Sequence, residues 1–272
     1  MQAILSISII IICSVFCITA SPFFISAEAL VLSGRIFDFV SLNTPQLLIL
    51  AAWFPLTRLL MGKNRALALI TDHGALSPLL WLKAFAISLL CLSLSFIQGP
   101  AAYLSAEPGQ RLPLFLLVLL ITPLQCLAEE LMARVMITRI FFSGRLEGSK
   151  TRILLSCLAS GSFFLLLHLP GLESPSGCEC FYYLLYGFCL NLVSIRAKSF
   201  ETAWAVHSAN NMFIALILNY EGSVYDTLPL FVRSGKTNMA VSYLMIVLIT
   251  ICVTKVTDRH FLISKEAGNG QN

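Results

Sequence analysis

The chain has 272 residues, 57% of them apolar and only 12% charged, with a mean hydropathy of +0.84. A soluble surface draws on about 25% charged residues, so this composition describes a polytopic membrane protein and excludes a disordered chain or a disulfide scaffold. The formal charge of +4 makes no nucleic-acid surface, because the 18 Lys+Arg residues are scattered between apolar runs and form no basic groove.

A membrane-crossing helix needs about 20 residues, with tolerance down to about 17. Apolar runs of that order recur eight times, over 1–24, 44–61, 81–97, 112–142, 151–169, 181–195, 200–219 and 239–254. The expected fold is therefore all-α, a transmembrane bundle of about eight helices. No Lys or Arg precedes Arg35, so the first run lacks the basic flank of a signal peptide and reads as a membrane anchor. Cytoplasmic loops are enriched in Lys and Arg. Twelve of the 18 fall in the even-numbered loops and the tail (Arg58, Lys63, Arg65, Arg139, Arg145, Lys150, Arg152, Arg196, Lys198, Lys255, Arg259, Lys265), against Arg35, Arg111, Arg233 and Lys236 in the odd ones. Both termini are thus expected in the cytoplasm. Loops this short leave no room for a soluble domain, and no internal repeat is evident. The nine cysteines lie mostly in apolar runs, where the thiol is a small hydrophobe. Cys178 and Cys180 share a polar loop but lack the second pair that a metal site needs, so no role is expected for them.

Charges inside a bilayer cost at least about 2.5 to 3.5 kcal/mol each and usually mark function. The fourth run contains Glu129-Glu130-Leu-Met-Ala-Arg134, the fifth ends Phe164-Leu-Leu-Leu-His168, and the seventh contains His207-Ser-Ala-Asn210-Asn211. Glu130 and Arg134 are four residues apart on one helix face and can pair. Glu129, turned by about 100°, is expected to have no partner on its own helix. His207 and Asn211 likewise share a face, as do Phe164 and His168. Glu129 lies roughly 20 Å along its helix from the loop that joins it to the fifth helix, and His168 roughly 26 Å, so the two reach similar depth. His207 is only roughly 10 Å from the start of its helix, which places the site in the cytoplasmic half. Each piece has a structural alternative, a buried ion pair or interhelical hydrogen-bonding glue; together they form the set that a water-activating hydrolase needs.

Glu129-Glu130-x-x-x-Arg134, Phe164-x-x-x-His168 and His207-x-x-x-Asn211, in this order on membrane helices, resemble the motifs of the CPBP family of intramembrane endopeptidases, which includes type II CAAX prenyl proteases and bacterial Abi proteins. The resemblance covers 112–219, a catalytic helix core flanked by 1–111 and 220–272, with catalytic groups on helices 4, 5 and 7. It departs from the family at Ala133 and Val135, where members often carry an aromatic residue and a glycine. It implies that Glu129 and His168 activate a water, that His207 and Asn211 hold the oxyanion, and that Glu130 and Arg134, with Phe164, support them. The same Glu129, His168 and His207 are the ligand types of a His₂Glu zinc site, so zinc stands as the alternative to a glutamate-activated water. The implied partners are the lipid bilayer and a peptide or membrane-protein substrate, lipid-modified in the CAAX case, with no nucleic acid. The C-terminus shows no organelle address, so a bacterial inner membrane is expected. Two other readings use the same residues: a polar relay in a transporter, and a nonenzymatic scaffold or immunity protein.

Overall fold

The computed structural model describes residues 2–29, 31–32, 34–105, 108–142, 145–169, 175–223, 225–234 and 237–269, without the side chains at 2–3, 63–66 and 259–269. Met1 and Lys236, and the side chains of Lys63, Arg65, Arg259 and Lys265 that enter the charge count, lie outside the described residues. The elements run α1 (Gln2–Glu28), α2 (Gly34–Met61), α3 (Lys63–Ile70) and α4 (Pro78–Ser93), the last prolonged by a 3-10 turn at Leu94–Gln98. β1 (Ala102–Tyr103) then precedes α5 (Pro108–Glu130), a π turn (Leu131–Met136) and α6 (Ile137–Phe141). The chain ends with α7 (Lys150–His168), α8 (Gly177–Ala197), α9 (Glu201–Leu216), β2 (Leu218–Tyr220), β3 (Phe231–Arg233) and α10 (Met239–Asn269). The all-α bundle is as expected, and 7 helical stretches among the described residues are long and apolar enough to cross a membrane.

The remaining apolar run, the seventh, is also helical, but α9 has only 16 residues, about 24 Å of helix. It lies in the centre of the bundle, against α4, α5 and α8. Thr202, Ala203, Ala205, Ser208 and Ala209 are buried all around it, and such small side chains let neighbouring backbones approach. The Trp204 Nε1–H donates to the Pro123 carbonyl at 2.7 Å and ties α9 to α5.

Helix boundaries follow local chemistry. Ser77 caps α4 ahead of Pro78, Ser149 caps α7, and Ser176 with Glu179 forms a capping box at the start of α8. α2 starts ten residues before the apolar run at Thr44, because Phe39 in that polar stretch is buried with Leu114, Val118, Ala215 and Leu228. The three-stranded sheet, in the order β1-β3-β2, was not foreseen. Strands of two or three residues are too short to carry an alternating pattern. All nine thiols are free.

At one end of the bundle a polar layer seals α9 from above. Arg139, expected in a cytoplasmic loop, is instead 1% exposed in α6, where it donates to the carbonyls of Ala68 and Leu69 and pairs with Asp72 at 3.3 Å. Asp72 also accepts the Leu146 N–H at 2.6 Å. The Phe200 N–H donates to Ile70 O, and the Asp72 N–H to Lys198 O, each at 2.9 Å. Ser199, Phe200 and Glu201 are consequently buried. α9 begins inside the protein, which removes the depth mismatch that its sequence implies for His207.

α7 and α8 touch backbone to backbone. A Cβ on Gly187 would stand 2.7 Å from the Phe164 Cβ and 2.9 Å from the Gly161 Cα, and one on Gly161 would stand 2.6 Å from the Leu184 carbonyl oxygen. Only glycine fits this crossing. Gly187→Ala is expected to cost about 1 to 3 kcal/mol through overpacking, read as a lower midpoint of thermal unfolding in detergent. An unchanged midpoint would show that the two backbones do not meet there.

Candidate active site

The site is built on a break in the helix that carries its charges. After Glu130 the chain takes a π turn through Leu131–Met136, a device that recurs at functional sites because it re-aims side chains. The Ser160 hydroxyl of α7 donates to the Ala133 carbonyl inside this turn at 2.7 Å. Arg134, in the same turn, is fully buried, with its Nε 3.2 Å from Glu130 Oε2. Its guanidinium carbon sits 4.2 Å from the centroid of the Phe164 ring. No guanidinium nitrogen hydrogen-bonds to another described residue. The buried cation is therefore balanced by one carboxylate and one aromatic face; a desolvated cation–π contact contributes about 2 kcal/mol.

Glu130 faces two ways. Its second oxygen, Oε1, lies 2.7 Å from His207 Nδ1, so the second glutamate reaches the imidazole of α9 rather than Glu129. His207 is 1% exposed. Its ring meets Phe164 edge-on at 5.6 Å and Tyr186 at 5.8 Å. Its Nε2 lies 3.4 Å from Asn211 Nδ2 and 3.7 Å from Glu129 Oε2.

Glu129 does have a partner on its own helix, contrary to expectation. The Gln125 carboxamide, four residues earlier on the same face, donates to Glu129 Oε1. The oxygen of that carboxamide accepts from Asn211 Nδ2 at 3.3 Å. Gln125 thus bridges the first glutamate to the asparagine, and its spacing could have revealed it. Glu129 Oε2 is buried without a hydrogen-bond partner among the described residues, leaving an acceptor that faces His207.

His168 closes α7 and flanks this group. Its Nδ1 lies 2.8 Å from the Phe164 carbonyl. A carbonyl only accepts, so the proton sits on Nδ1 and Nε2 keeps its lone pair. The imidazole is stacked on Tyr183 at 4.5 Å and 25° and rests 4.2 Å from the Phe164 ring. Nothing in the sequence pattern singled out Tyr183, one of a run of aromatic residues on α8. Among the described residues no hydrogen bond joins His168 to Glu129 or His207.

The expected zinc ligands do not converge. Glu129 Oε2 and His207 Nε2 face one another at 3.7 Å, and among the described residues His168 is not joined to them. No three His, Cys, Asp or Glu side chains among the described residues gather into a ligand set, so the arrangement does not fit a three-ligand metal site. Interhelical glue lies elsewhere. Thr138 Oγ1 donates to Asn191 Oδ1 at 2.6 Å, and Asn191 Nδ2 donates to Ser156 Oγ at 3.0 Å, linking α6, α8 and α7.

Residues 110–213 match the family model described as Type II CAAX prenyl endopeptidase Rce1-like. The chain is also 31% identical over 140 residues to YyaK, an uncharacterized protein of Bacillus subtilis, a match covering 50% of this chain and 45% of the relative. The chain thus spans less than half the length of that curated relative. No solved structure matches it. Gln125→Leu keeps the volume of the bridge but strips Glu129 and Asn211 of a buried partner, and is expected to cost about 1 to 3 kcal/mol; thermal unfolding of the purified variant measures this.

Proposed function

We propose that the chain is an intramembrane endopeptidase of the CAAX type that hydrolyses a peptide bond with an activated water. The observation that carries this reading is the opposition of an unpartnered carboxylate oxygen, Glu129 Oε2, to an imidazole nitrogen, His207 Nε2, at 3.7 Å. A water and a peptide carbonyl need such an acceptor and such a donor.

The roles follow from what each atom is free to do. Gln125 occupies Glu129 Oε1, so Oε2 takes the proton of the attacking water, as a general base held in an apolar setting. His168 presents Nε2 from the adjacent helix end and assists the same water. His207 faces the other way in function. Glu130 accepts from Nδ1 and orients the ring, whose Nε2–H, in the imidazolium form, donates to the tetrahedral oxyanion. This division of labour matches a carboxylate orienting an imidazole and stabilising its charge. Asn211 Nδ2 supplies the second donor. Arg134 pairs with Glu130, and Phe164 covers the guanidinium. The proton taken by Glu129 passes to the leaving amine, restoring the carboxylate.

The substrate class proposed is a peptide segment at the membrane, a lipid-modified C-terminal tail in the CAAX case, and the location proposed is a bacterial inner membrane with both termini cytoplasmic. A scaffold reading gives no reason to keep an acceptor without a partner in a dry interior. The Thr138–Asn191–Ser156 group already joins the helices through polar contacts. A transporter relay would favour a repeated architecture with broken helices in both halves, whereas the π turn and the Glu129, Glu130 and Arg134 charges lie in one helical stretch.

Purified full-length protein in lipid nanodiscs, assayed on internally quenched farnesylated and unmodified peptides, tests the assignment. Glu129→Gln is expected to reduce turnover by about 10² to 10⁴, and Asn211→Ala by about 10² to 10³, with both variants inserted and folded. Turnover by folded Glu129→Gln within threefold of wild type would sink the mechanism. Comparison of membrane-protein C-termini with and without the protein identifies the natural substrate.

A further inference from the structure

His168 needs more support than its own helix gives it. It is the last residue of α7, where the helix no longer offers a neighbour three or four positions further on. Its hydrogen bond from Nδ1 to the Phe164 carbonyl, at 2.8 Å, holds a single atom. A ring held at one atom still pivots about that bond, and the pivot carries Nε2, the nitrogen with the lone pair, away from any fixed direction.

The missing brace comes from α8. Tyr183 lies nearly flat on the imidazole, with ring centroids 4.5 Å apart and planes at 25°, an arrangement that two rings favour. Phe164 meets the same imidazole at 4.2 Å and 43°. The Phe164 and Tyr183 centroids are 6.4 Å apart, so the two rings approach from different directions. The hydrogen bond fixes Nδ1, the flat contact fixes the plane, and the direction of Nε2 follows from both.

Helix register sets this stack. Gly161, Phe164 and His168 recur at three- and four-residue intervals along one face of α7, and Gly187 and Tyr183 are four apart on α8. The two helices run in opposite directions, so the approach of Gly187 to the Gly161 Cα and the Phe164 Cβ brings His168 against Tyr183 one turn further on. The next turn of α8 reaches the other imidazole, because Tyr186 meets His207 edge-on at 5.8 Å. That ring is already held by Glu130 at Nδ1, whereas among the described residues no carboxylate hydrogen-bonds to His168. Tyr183 is only half-buried, so filling the core does not account for its ring.

We propose that Tyr183 is a positioning residue, which fixes the plane of the His168 imidazole and so presents Nε2 to the attacking water. It acts through His168 and touches neither water nor peptide. This inference rests on the hydrolase reading.

Tyr183→Leu and Tyr183→Met remove the flat ring and keep apolar bulk, while Tyr183→Phe keeps the ring and removes the hydroxyl. In nanodiscs, with the quenched peptide of highest wild-type turnover, the first two are expected to lose about 10- to 100-fold in kcat, with KM within about twofold. Tyr183→Phe is expected to restore kcat to within about threefold of wild type. A ring that only packs between helices would lower the unfolding midpoint and leave kcat of the folded protein unchanged. The second readout is the NMR signal of the His168 ring, assigned among the four histidines by its loss in His168→Ala. A stacked ring shields it, so the signal is expected to move downfield in Tyr183→Leu and to stay in place in Tyr183→Phe. A folded Tyr183→Leu with kcat within twofold of wild type, or with a change in KM alone, overturns the role of Tyr183 and leaves the hydrolase intact. So does a Tyr183→Phe as slow as Tyr183→Leu, which assigns the effect to the hydroxyl, an unmoved His168 signal in Tyr183→Leu, or failure of both the Leu and Met variants to fold. A folded wild type inert on every peptide, with the shift of the His168 signal still present, overturns the hydrolase reading and reduces the stack to a packing contact.

Discussion

Arg134 is a full positive charge with no exposure to water, inside a bundle whose outer surface is apolar. Removing such a group from water costs several kcal/mol unless its surroundings compensate. Its compensation is the carboxylate of Glu130 at 3.2 Å and the face of Phe164 at 4.2 Å. That requirement reaches outward. The π turn aims Arg134 inward, Ser160 accommodates the altered backbone, and the glycine contact between α7 and α8 fixes Phe164 at the height of the guanidinium. Glu130, held by Arg134, then has one oxygen left for His207. Balancing one buried charge thus defines the orientation of an imidazole on another helix.

The two glutamates are adjacent in sequence and unlike in surroundings. Glu130 is spent on an ion pair and an imidazole, both oxygens engaged, at 1% exposure. Glu129 has one oxygen held by Gln125 and one without a partner. Each has a second oxygen without a hydrogen bond to a described residue, but that of Glu130 lies 3.2 Å from the Arg134 guanidinium and that of Glu129 3.7 Å from the His207 imidazole. Two identical side chains, one position apart, thus stand in different electrostatic surroundings, the condition under which paired carboxylates can take different roles.

Depth in the membrane is settled by the ends of the bundle. The Asp72–Arg139 pair and the hydrogen bonds from the α3–α4 turn to Lys198 and Phe200 allow α9 to start well inside the protein. His207 therefore meets Glu130 although it is only six residues from the first residue of its helix. At the other end of α9 the β2–β3 segment is pinned by Arg35 and Arg111. A short, small-residue helix suspended between these two layers is what lets three longer helices share one polar centre.

Much of this was legible in the amino-acid order. A low charge count forces an apolar exterior, apolar runs long enough to span a bilayer become helices, and carboxylates, imidazoles and a guanidinium within them must find one another because hydrocarbon offers nothing else. These constraints are local or compositional, so they produced the bundle and the Glu129, Glu130, Arg134, Phe164, His168, His207 and Asn211 set. Tertiary structure decided what spacing along one helix cannot express. Gln125 became the partner of Glu129 and Glu130 the partner of His207, while His168 was turned to Phe164 and away from a common ligand position. Arg139 was drawn from an expected loop into the interior, because the carbonyls that hold it belong to α3, 70 residues earlier. Sequence fixes which groups must be compensated inside a membrane; which group compensates which depends on helix rotation, the π turn and the backbone contact at Gly161 and Gly187, and these exist only once the helices pack.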